Sequence, residues 1–390
     1  MTILTTMECE SRLFIAFLLI LIVVLDDDIN RNSQIQSSRC KNLFKLTQEQ
    51  EERAKAIHRS SVVVDTHNDT ILQIIRAPPF ADNGTRVLPP RRTLGERSKD
   101  GQIDIPRARD GGVNVLLFAM YVSPHHRARL RRLLQMLDAF YTEVEANPDT
   151  IALATNYDEI IYALKAKKIA AIITIEGGEP LEEDIGALRM MYRLGVRSLT
   201  LTHFPRNELG DGSGADSGSH LSKFGREVVE EMNRLGMLID ISHLNETGFW
   251  DVMELSQDPV LASHSNCRAL CSHHRNLTDD QIKALAENGG VMNLSFCAGF
   301  IKEGVNNRET LYKVTLNDWL DHLDHAVNLV GPNHIGLGSD LDGGCGFPGL
   351  DDVTMFPELT RGMISRGYAD HEIKKILGTN DLRVFKKVLS

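Results

Sequence analysis

The sequence is poor in the features that mark several classes of protein. Only 6 of its 390 residues are cysteine, which is too few for a disulfide scaffold. No stripe of lysine and arginine stands out and the formal net charge is −10, so nucleic acid, which requires clustered cations, is not expected as a partner. Hydrophobic residues make up 42% and charged residues 25%, ordinary globular values that exclude disorder, collagen and coiled coil for the whole chain.

The N-terminal part holds an apolar run that is too short to span a membrane as a helix. It covers 13 residues, Leu13 to Leu25, where about 20 are needed. Its length suits the apolar region of a signal peptide, although no Ala-x-Ala-like cleavage site follows. We interpret residues 1–25 as an export signal or membrane anchor and residues 26–49 as a polar linker, and we expect a secreted or membrane-anchored protein. The alternatives are a misassigned start or a buried core helix, and the protein is cytoplasmic if the segment is not a working signal.

The rest of the chain alternates apolar strands with amphipathic helices. The predicted strands are 61–65, 113–121, 169–175, 196–202, 237–241, 259–262, 290–294 and 335–338. Continuous apolar runs are typical of strands buried on both faces of a parallel sheet. Helical spacing follows in segments such as 223–235 and 278–287, where Thr278 ahead of an acidic turn favours a helix start. Residues 50–390 therefore predict an α/β fold, a single (β/α)₈ TIM barrel domain, with a doubly wound open sheet as the alternative.

Six of the eight predicted strands end in a side chain that can bind a metal ion or transfer a proton. These residues are His67 and Asp69 after the first strand, then Glu176, His203, His243, His264 and Asp340. The His67–Asp69 pair alone, or a histidine alone, is more often a hydrogen-bonded structural feature, and Glu176 alone is as often a helix cap as a functional residue. Together they indicate a site, because the active sites of such barrels lie at the carboxyl ends of the strands.

The residue types of this set indicate a particular chemistry. Imidazole and carboxylate ligands without thiolate suit Zn²⁺ or a similar ion in an open, catalytic site. His67, Asp69, Glu176, His243 and His264 are more ligands than one ion needs if a position stays open for water. They suit two ions about 3.5 Å apart, bridged by a carboxylate and a hydroxide.

Several fragments of the chain resemble one known family. They are DTHND at 65–69, TIEGG at 174–178, LTLTH at 199–203, FGREVVEEMNRLGMLIDISH at 224–243, SHSN at 263–266, RNLTDD at 275–280, GLGSDLDG at 336–343 and NDLRVF at 380–385. In this order, from about Val62 to Leu389, they look like the membrane dipeptidase family, the renal-dipeptidase type of metallopeptidase among the amidohydrolase-like barrels. The resemblance implies hydrolysis of dipeptides, including those with a D-residue at the carboxyl end, two zinc ions per chain and a homodimer.

The resemblance also implies a role for each matching residue. His67 and Asp69 would bind one zinc ion, His243 and His264 the other, and Glu176 would bridge the two. The remaining roles are contact with the scissile group for His203, binding of the substrate carboxylate for Arg275, and acid/base catalysis for Asp340.

Two departures from the family pattern leave the substrate preference open. Thr66 stands where the family often has glycine, and Cys297 where an aromatic residue is common. The alternative functions are a barrel hydrolase acting on another amide or a lactone, such as an N-acyl amino acid, and a non-catalytic zinc-binding barrel. Cys271 and Cys297 could approach each other as a disulfide in an exported chain, with two buried thiols as the alternative.

Overall fold

The computed structural model describes residues 44–75, 92–215, 217–305, 307 and 309–390. Within this range, Leu46–Ser390 form one compact unit. The predicted signal or anchor segment and most of the predicted linker lie outside the described residues. No helix in the described ranges is both long and apolar enough to cross a membrane.

A parallel sheet forms the centre of the domain. Its strands are β1 (Val64–Asn68), β2 (Val115–Tyr121), β3 (Ile151–Leu153), β4 (Ile169–Glu176), β5 (Val196–Thr200), β6 (Leu238–Asp240), β7 (Leu261–Ala262), β8 (Val291–Leu294) and β9 (Ile335–Leu337). Eight of them follow one another in the order β1-β2-β4-β5-β6-β7-β8-β9, while the short β3 pairs with β4 off this path.

The first and last strands approach each other, so that the sheet is a nearly closed barrel. Asn68 forms a parallel bridge with Leu341. Backbone hydrogen bonds also run from Asp69 N to Leu341 O (2.9 Å) and from Asp340 N to His67 O (2.9 Å). The predicted eight-stranded α/β barrel is therefore confirmed, and the open-sheet alternative is wrong.

Helices alternate with the strands along the chain. They are α1 (Gln48–Ser60), α2 (Thr70–Ile74), α3 (Ile105–Asp110), α4 (Arg129–Ala146), α5 (Tyr157–Lys165), α6 (Ile185–Arg193), α7 (Lys223–Leu235), α8 (Glu246–Leu255), α9 (Asp279–Glu287), α10 (Ala298–Ile301), α11 (Leu316–Val330), α12 (Phe356–Ser365), α13 (Asp370–Lys374) and α14 (Asn380–Val388). Single turns of 3₁₀-helix at Glu179–Leu181, Leu311–Lys313 and Val353–Met355, and a π-turn at Lys375–Thr379, complete the connections.

Helix α7 shows how local sequence sets these boundaries. The Ser222 hydroxyl caps its first turn, and Gly236 ends it in the left-handed region at φ 69°. Val228 and Met232, four residues apart on one face, are fully buried. The helix occupies the segment that the periodicity predicts.

Two strands differ from the sequence prediction. β1 is shifted toward the carboxyl end and includes His67, because Asp65 and Asn68 pair with β2, Thr66 donates to Leu337 O of β9, and all of its residues are buried. β3 has only three residues, too few to give a periodic signal, and it forms by pairing in register with the start of β4.

The start of α9 carries a reciprocal cap that can be tested. The Gln281 amide donates to the Thr278 hydroxyl (3.2 Å), and the Thr278 amide donates to the Gln281 side chain (2.9 Å). We expect Thr278→Ala to lower the free energy of unfolding by about 1 kcal/mol, because one amide of the first turn loses its acceptor. Urea denaturation measures this change. Thr278→Ser keeps the hydroxyl and should be close to wild type; equal losses in both variants would contradict the capping role.

Candidate metal centre

The side chain at the middle of the candidate site is Glu176, the last residue of β4. It is 4% exposed, at the end of a strand whose other residues are apolar except for Thr174. The strands β1, β6 and β7 direct their carboxyl ends to the same mouth of the barrel. Their ends bring His67, His243 and His264 toward this carboxylate.

The ligand atoms of the five predicted metal-binding residues form one cluster. Glu176 Oε1 lies 2.9 Å from His243 Nε2, 3.5 Å from His264 Nε2 and 3.6 Å from His67 Nε2. The Nε2 atoms of His243 and His264 are 2.9 Å apart. Asp69 Oδ2 is 3.7 Å from His67 Nε2. The structure thus brings together all five residues that the sequence selects, although they come from four strand ends.

This cluster fits a bound cation. His67 Nε2 and Asp69 Oδ1 are buried polar atoms with no hydrogen-bond partner among the described residues. Buried polar atoms are nearly always paired, because leaving one unpaired costs roughly 1–3 kcal/mol. A metal ion accepts the lone pairs of imidazole nitrogen and carboxylate oxygen alike, so it would satisfy both groups.

The protonation states of the cluster also favour a bound cation. Burial and the positive charge of Arg275 lower the pKa of His243 well below its usual value. Burial and the charge of His67 lower the pKa of His264 in the same way. Both rings are therefore neutral and offer lone pairs. Burial opposes charge on His67, but the carboxylates of Glu176 and Asp69 outweigh it and raise the pKa of His67 to about 10. The carboxylates thus favour positive charge at this point.

Two site residues adopt strained backbone conformations. His243 and Asp340 have φ values of 65° and 57°, in the left-handed region that residues with a Cβ rarely enter. Hydrogen bonds hold both in place: Ser213 N donates to His243 O (2.6 Å) and Asp340 N donates to His67 O (2.9 Å). Such conformations persist only where surrounding structure fixes them, and they are frequent at functional sites.

The predicted catalytic residues lie beside the cluster. Asp340 Oδ1 is 4.0 Å from His67 Nε2, and burial raises the pKa of Asp340 to about 7. His203 Nε2 is 3.9 Å from Glu176 Oε1, and its ring stacks on that of His243 with centroids 4.2 Å apart. Burial and then the Arg275 charge lower the pKa of His203 to about 4, so this ring is neutral at pH 7.

Arg275 is a buried cation that forms no salt bridge within 4.0 Å in the described part of the chain, although the charges of Asp340 and Glu176 act on it. It is 2% exposed, its Nη2 donates to His264 O (3.0 Å), and its Nε has no hydrogen-bond partner among the described residues. The guanidinium carbon lies 5.2 Å from the ring centroid of Phe300. Burial lowers the pKa of Arg275 to about 10, which leaves it charged at neutral pH.

A cavity of about 380 Å³ opens over the cluster. It is lined by five of the predicted site residues and by Leu72, Tyr121, Phe204, Cys297, Phe300, Gly343, Gly344 and Cys345. The volume is at the lower end of small-molecule sites. The predicted residues that do not line it, His67, His264 and Arg275, are each buried beside it.

The structure corrects the predicted cysteine pairing. Cys297, just before α10, forms a disulfide with Cys345, and their Cα atoms are 4.4 Å apart. Cys271 is a buried free thiol whose Sγ contacts Gly299 O (3.5 Å). The predicted Cys271–Cys297 pairing is therefore wrong. Cys297 follows β8 and Cys345 follows β9, and because these strands are neighbours the two segments meet. Both bonded sulfur atoms lie against Asp340 Oδ2, at 3.2 and 3.0 Å.

Sequence reasoning also missed residues that contribute to the site. Tyr121, at the end of β2, lines the cavity, and its ring centroid is 4.5 Å from that of His203. Asp240, at the end of β6, is 2% exposed, and one of its oxygen atoms lies within 4.8 Å of imidazole nitrogens of His67 and His264. A carboxylate that ends the apolar run MLID is the same signal that identifies Glu176, and it could have selected Asp240 as well.

An α/β barrel whose strand ends bring imidazole and carboxylate side chains together has the fold and the kind of site found in metal-dependent barrel hydrolases. Residues 51–390 match the membrane dipeptidase family, peptidase family M19. The chain belongs to this family and is a metallodipeptidase, as expected from its motifs.

Dipeptidases and a metallopeptidase structure are similar to this chain over most of its length. A dipeptidase, verJ, of Clonostachys rogersoniana is 36% identical over 73% of this chain and 75% of its own length. Dipeptidase 3 of Mus musculus is 33% identical over 86% of this chain and 66% of its own. The crystal structure of a Rhodobacter sphaeroides metallopeptidase, liganded with a phosphinate mimic of the dipeptide L-Ala-D-Ala, superposes with a TM-score of 0.76 at 29% identity. That match covers 84% of this chain and all of the other.

The corrected cysteine pairing gives a prediction. Peptide mass mapping of unreduced protein should find Cys297 linked to Cys345, with Cys267 and Cys271 as free thiols. Both free thiols should react slowly in the folded protein, because burial raises the pKa of each, to about 12 for Cys267. Rapid alkylation of Cys267 under native conditions, or a linked peptide containing Cys271, would contradict this assignment.

Proposed function

We propose that the protein is a zinc-dependent dipeptidase with two zinc ions per chain, and that it accepts a D-residue at the carboxyl-terminal position of its substrate. The observation that carries the proposal is the convergence of three imidazoles and a second carboxylate on Glu176. Acceptance of a D-residue is supported by the relative that binds a mimic of L-Ala-D-Ala.

The proposed ligands divide into two groups around Glu176. His67 and Asp69 would hold one ion and His243 and His264 the other, with Glu176 between them. When bound, zinc ions of this kind activate water at neutral pH and polarise the carbonyl under attack. The donor set of imidazole and carboxylate supports zinc over magnesium or calcium, which prefer oxygen ligands.

The residues of the chain would position the substrate and move its protons. Arg275 binds the substrate carboxylate through two parallel hydrogen bonds, a geometry that its planar fork permits. His203, a neutral donor at the edge of the cluster, stabilises the oxyanion that forms on the scissile carbonyl. Asp340 accepts the proton of the attacking water and returns it to the leaving amine. A fixed anchor for the carboxylate leaves room for one residue beyond the scissile bond, which makes the enzyme a dipeptidase.

A panel of substrates tests this function. Purified protein is stripped with a chelator and assayed with L,L and L,D dipeptides, tripeptides, N-acyl amino acids and lactones, with and without added zinc. We expect zinc to restore hydrolysis of both dipeptide stereoisomers. Turnover of N-acyl amino acids or lactones but not of dipeptides would favour the alternative amidase or lactonase function.

We also infer that the chain is exported or membrane-attached through Leu13–Leu25 and that it works as a homodimer. The apolar composition of that segment supports the first statement, and family membership supports the second. Fractionation of cells that express the full chain, with and without residues 1–25, tests attachment. Light scattering of the purified protein tests the dimer.

The metal proposal predicts the zinc content of histidine variants. We expect His243→Ala or His264→Ala to lower the content from two ions per chain toward one and to abolish turnover, because each removes a ligand of the same ion. Elemental analysis measures the content. His125→Ala, which alters an exposed histidine, is the control and should keep both ions. Active wild-type protein that contains no metal would refute the proposal.

The carboxylate anchor predicts a defined loss of activity. Arg275→Lys should lower kcat/KM for dipeptides, because lysine cannot form the bidentate contact. The loss of transition-state stabilisation calculated from kcat/KM should be about 2 to 4 kcal/mol. The zinc content of this variant should be unchanged. Arg268→Lys, at a partly exposed arginine paired with Glu246, is the matched control and should be near wild type.

The same anchor predicts discrimination by the wild-type enzyme. A dipeptide amide lacks the carboxylate, so it should be hydrolysed far more slowly than the free dipeptide. Equal rates on a dipeptide and its amide would show that Arg275 is not the anchor.

A further inference from the structure

A second buried carboxylate lies beneath the histidine pair of the candidate metal centre. Asp240, the last residue of β6, accepts four hydrogen bonds. Its Oδ1 accepts from the amides of Ser242 (3.0 Å) and Ser263 (2.9 Å). Its Oδ2 accepts from the hydroxyls of Thr200 (2.5 Å) and Ser263 (2.5 Å). Asp240 therefore fixes the ends of three adjacent strands, β5, β6 and β7.

The Ser263 hydroxyl connects this carboxylate to a metal-ligand histidine. Ser263 Oγ is 2.5 Å from Asp240 Oδ2 and 2.8 Å from His264 Nδ1. An ionised carboxylate only accepts hydrogen bonds, so the single hydroxyl proton points to Asp240. Ser263 Oγ must then accept from His264, which places the imidazole proton on Nδ1. The lone pair of the ring is left on Nε2, the atom that faces Glu176.

Asp240 does not serve as a metal ligand itself. One of its oxygen atoms lies in a group with His67 and His264 that could hold an ion. However, a carboxylate offers about four lone-pair positions, and four hydrogen bonds already occupy those of Asp240. Its influence on the metal centre therefore passes through Ser263. The backbone of His264 is held in the same way, since its amide donates to Ser242 Oγ (3.0 Å).

We propose that Asp240 and Ser263 are positioning residues that hold His264 in the tautomer and orientation that bind metal. The pair sets the affinity of the ion held by His243 and His264. This inference rests on the proposed metal centre. The other side of the centre, at His67 and Asp69, does not depend on the pair.

Asp240→Asn tests the direction of the hydrogen-bond chain with little change of shape. The two amides of Ser242 and Ser263 require an oxygen at the Oδ1 position, so the new NH₂ group faces the hydroxyls of Thr200 and Ser263. The Ser263 hydroxyl then accepts from this NH₂ group and donates its own proton to His264 Nδ1. The ring is driven to the opposite tautomer, with a proton on Nε2, where the metal lone pair was.

Ser263→Ala removes the connection, and Ser263→Thr retains it. The matched control is Ser265→Ala in the same SHSN motif, because the Ser265 hydroxyl is buried but has no hydrogen-bond partner within the described residues. We expect Asp240→Asn and Ser263→Ala to weaken binding of one of the two zinc ions by about 10- to 100-fold, the usual effect of losing such a partner. Ser263→Thr and Ser265→Ala should stay within about threefold of wild type, well below that loss.

The measurements separate positioning from a general loss of structure. Zinc affinities come from competition with a chromophoric chelator, and the visible spectrum of the Co²⁺-loaded protein reports the ligand geometry. The spectrum should change in Asp240→Asn and Ser263→Ala only. Wild-type affinity and an unchanged cobalt spectrum in both variants would overturn the inference, and if Ser263→Ala does not fold, Asp240→Asn alone decides.

Failure of the positioning inference can be told apart from failure of the proposed function. Wild-type protein that binds two ions and hydrolyses dipeptides, beside variants that do the same with equal affinity, rejects only the positioning role. Wild-type protein that binds no zinc rejects the metal centre, and the positioning role with it.

Discussion

The arrangement of the site depends on the cost of burying the carboxylate of Glu176. An ionised carboxylate in the protein interior loses several kcal/mol of hydration, which only opposite charge and hydrogen bonds can offset. The nearest groups, His243 and His264, are neutral because burial lowers the pKa of each. They can therefore supply lone pairs but no charge, and His67, whose pKa is raised to about 10, offers one positive charge to the carboxylates of both Glu176 and Asp69. A cation between the carboxylate and the imidazoles would satisfy all of these groups at once. The strand ends place the three imidazoles within 3.6 Å of the Glu176 carboxylate, where they could share such an ion.

The barrel supplies the rigidity that this placement requires. Its strands are hydrogen-bonded in parallel all the way from β1 to β9, and the bridge between Asn68 and Leu341 brings the two edges together. Left-handed backbone at His243 and Asp340 costs roughly 1–2 kcal/mol per residue. Backbone hydrogen bonds to those residues and the buried contacts around them offset this cost. A flexible loop could not hold the same conformations.

Local sequence was sufficient for much of this architecture, but not for contacts between distant segments. The apolar runs gave all eight barrel strands, and the rule that barrel sites lie at strand ends selected Glu176 and the histidines. The boundary of β1 was misplaced because the burial of its polar residues depends on pairing partners far along the chain. The Cys297–Cys345 bond was missed because it depends on contact between two loops, one after β8 and one after β9, that are far apart in sequence. Neither the boundary of β1 nor the disulfide produces a periodic pattern in the sequence.

The motifs of the site encode support as well as ligands. In DISH, Asp240 precedes His243 by three residues, and in SHSN, Ser263 directly precedes His264. The histidine of each motif faces the proposed metal, while Asp240 and Ser263 form the hydrogen-bond chain that reaches His264 Nδ1. His243 Nδ1 has no hydrogen-bond partner among the described residues. A ligand histidine is effective only if its proton lies on the far nitrogen, and that choice is made by the partner of the far nitrogen. The residue types at positions 240 and 263 are therefore restricted by the same chemistry as His264 itself.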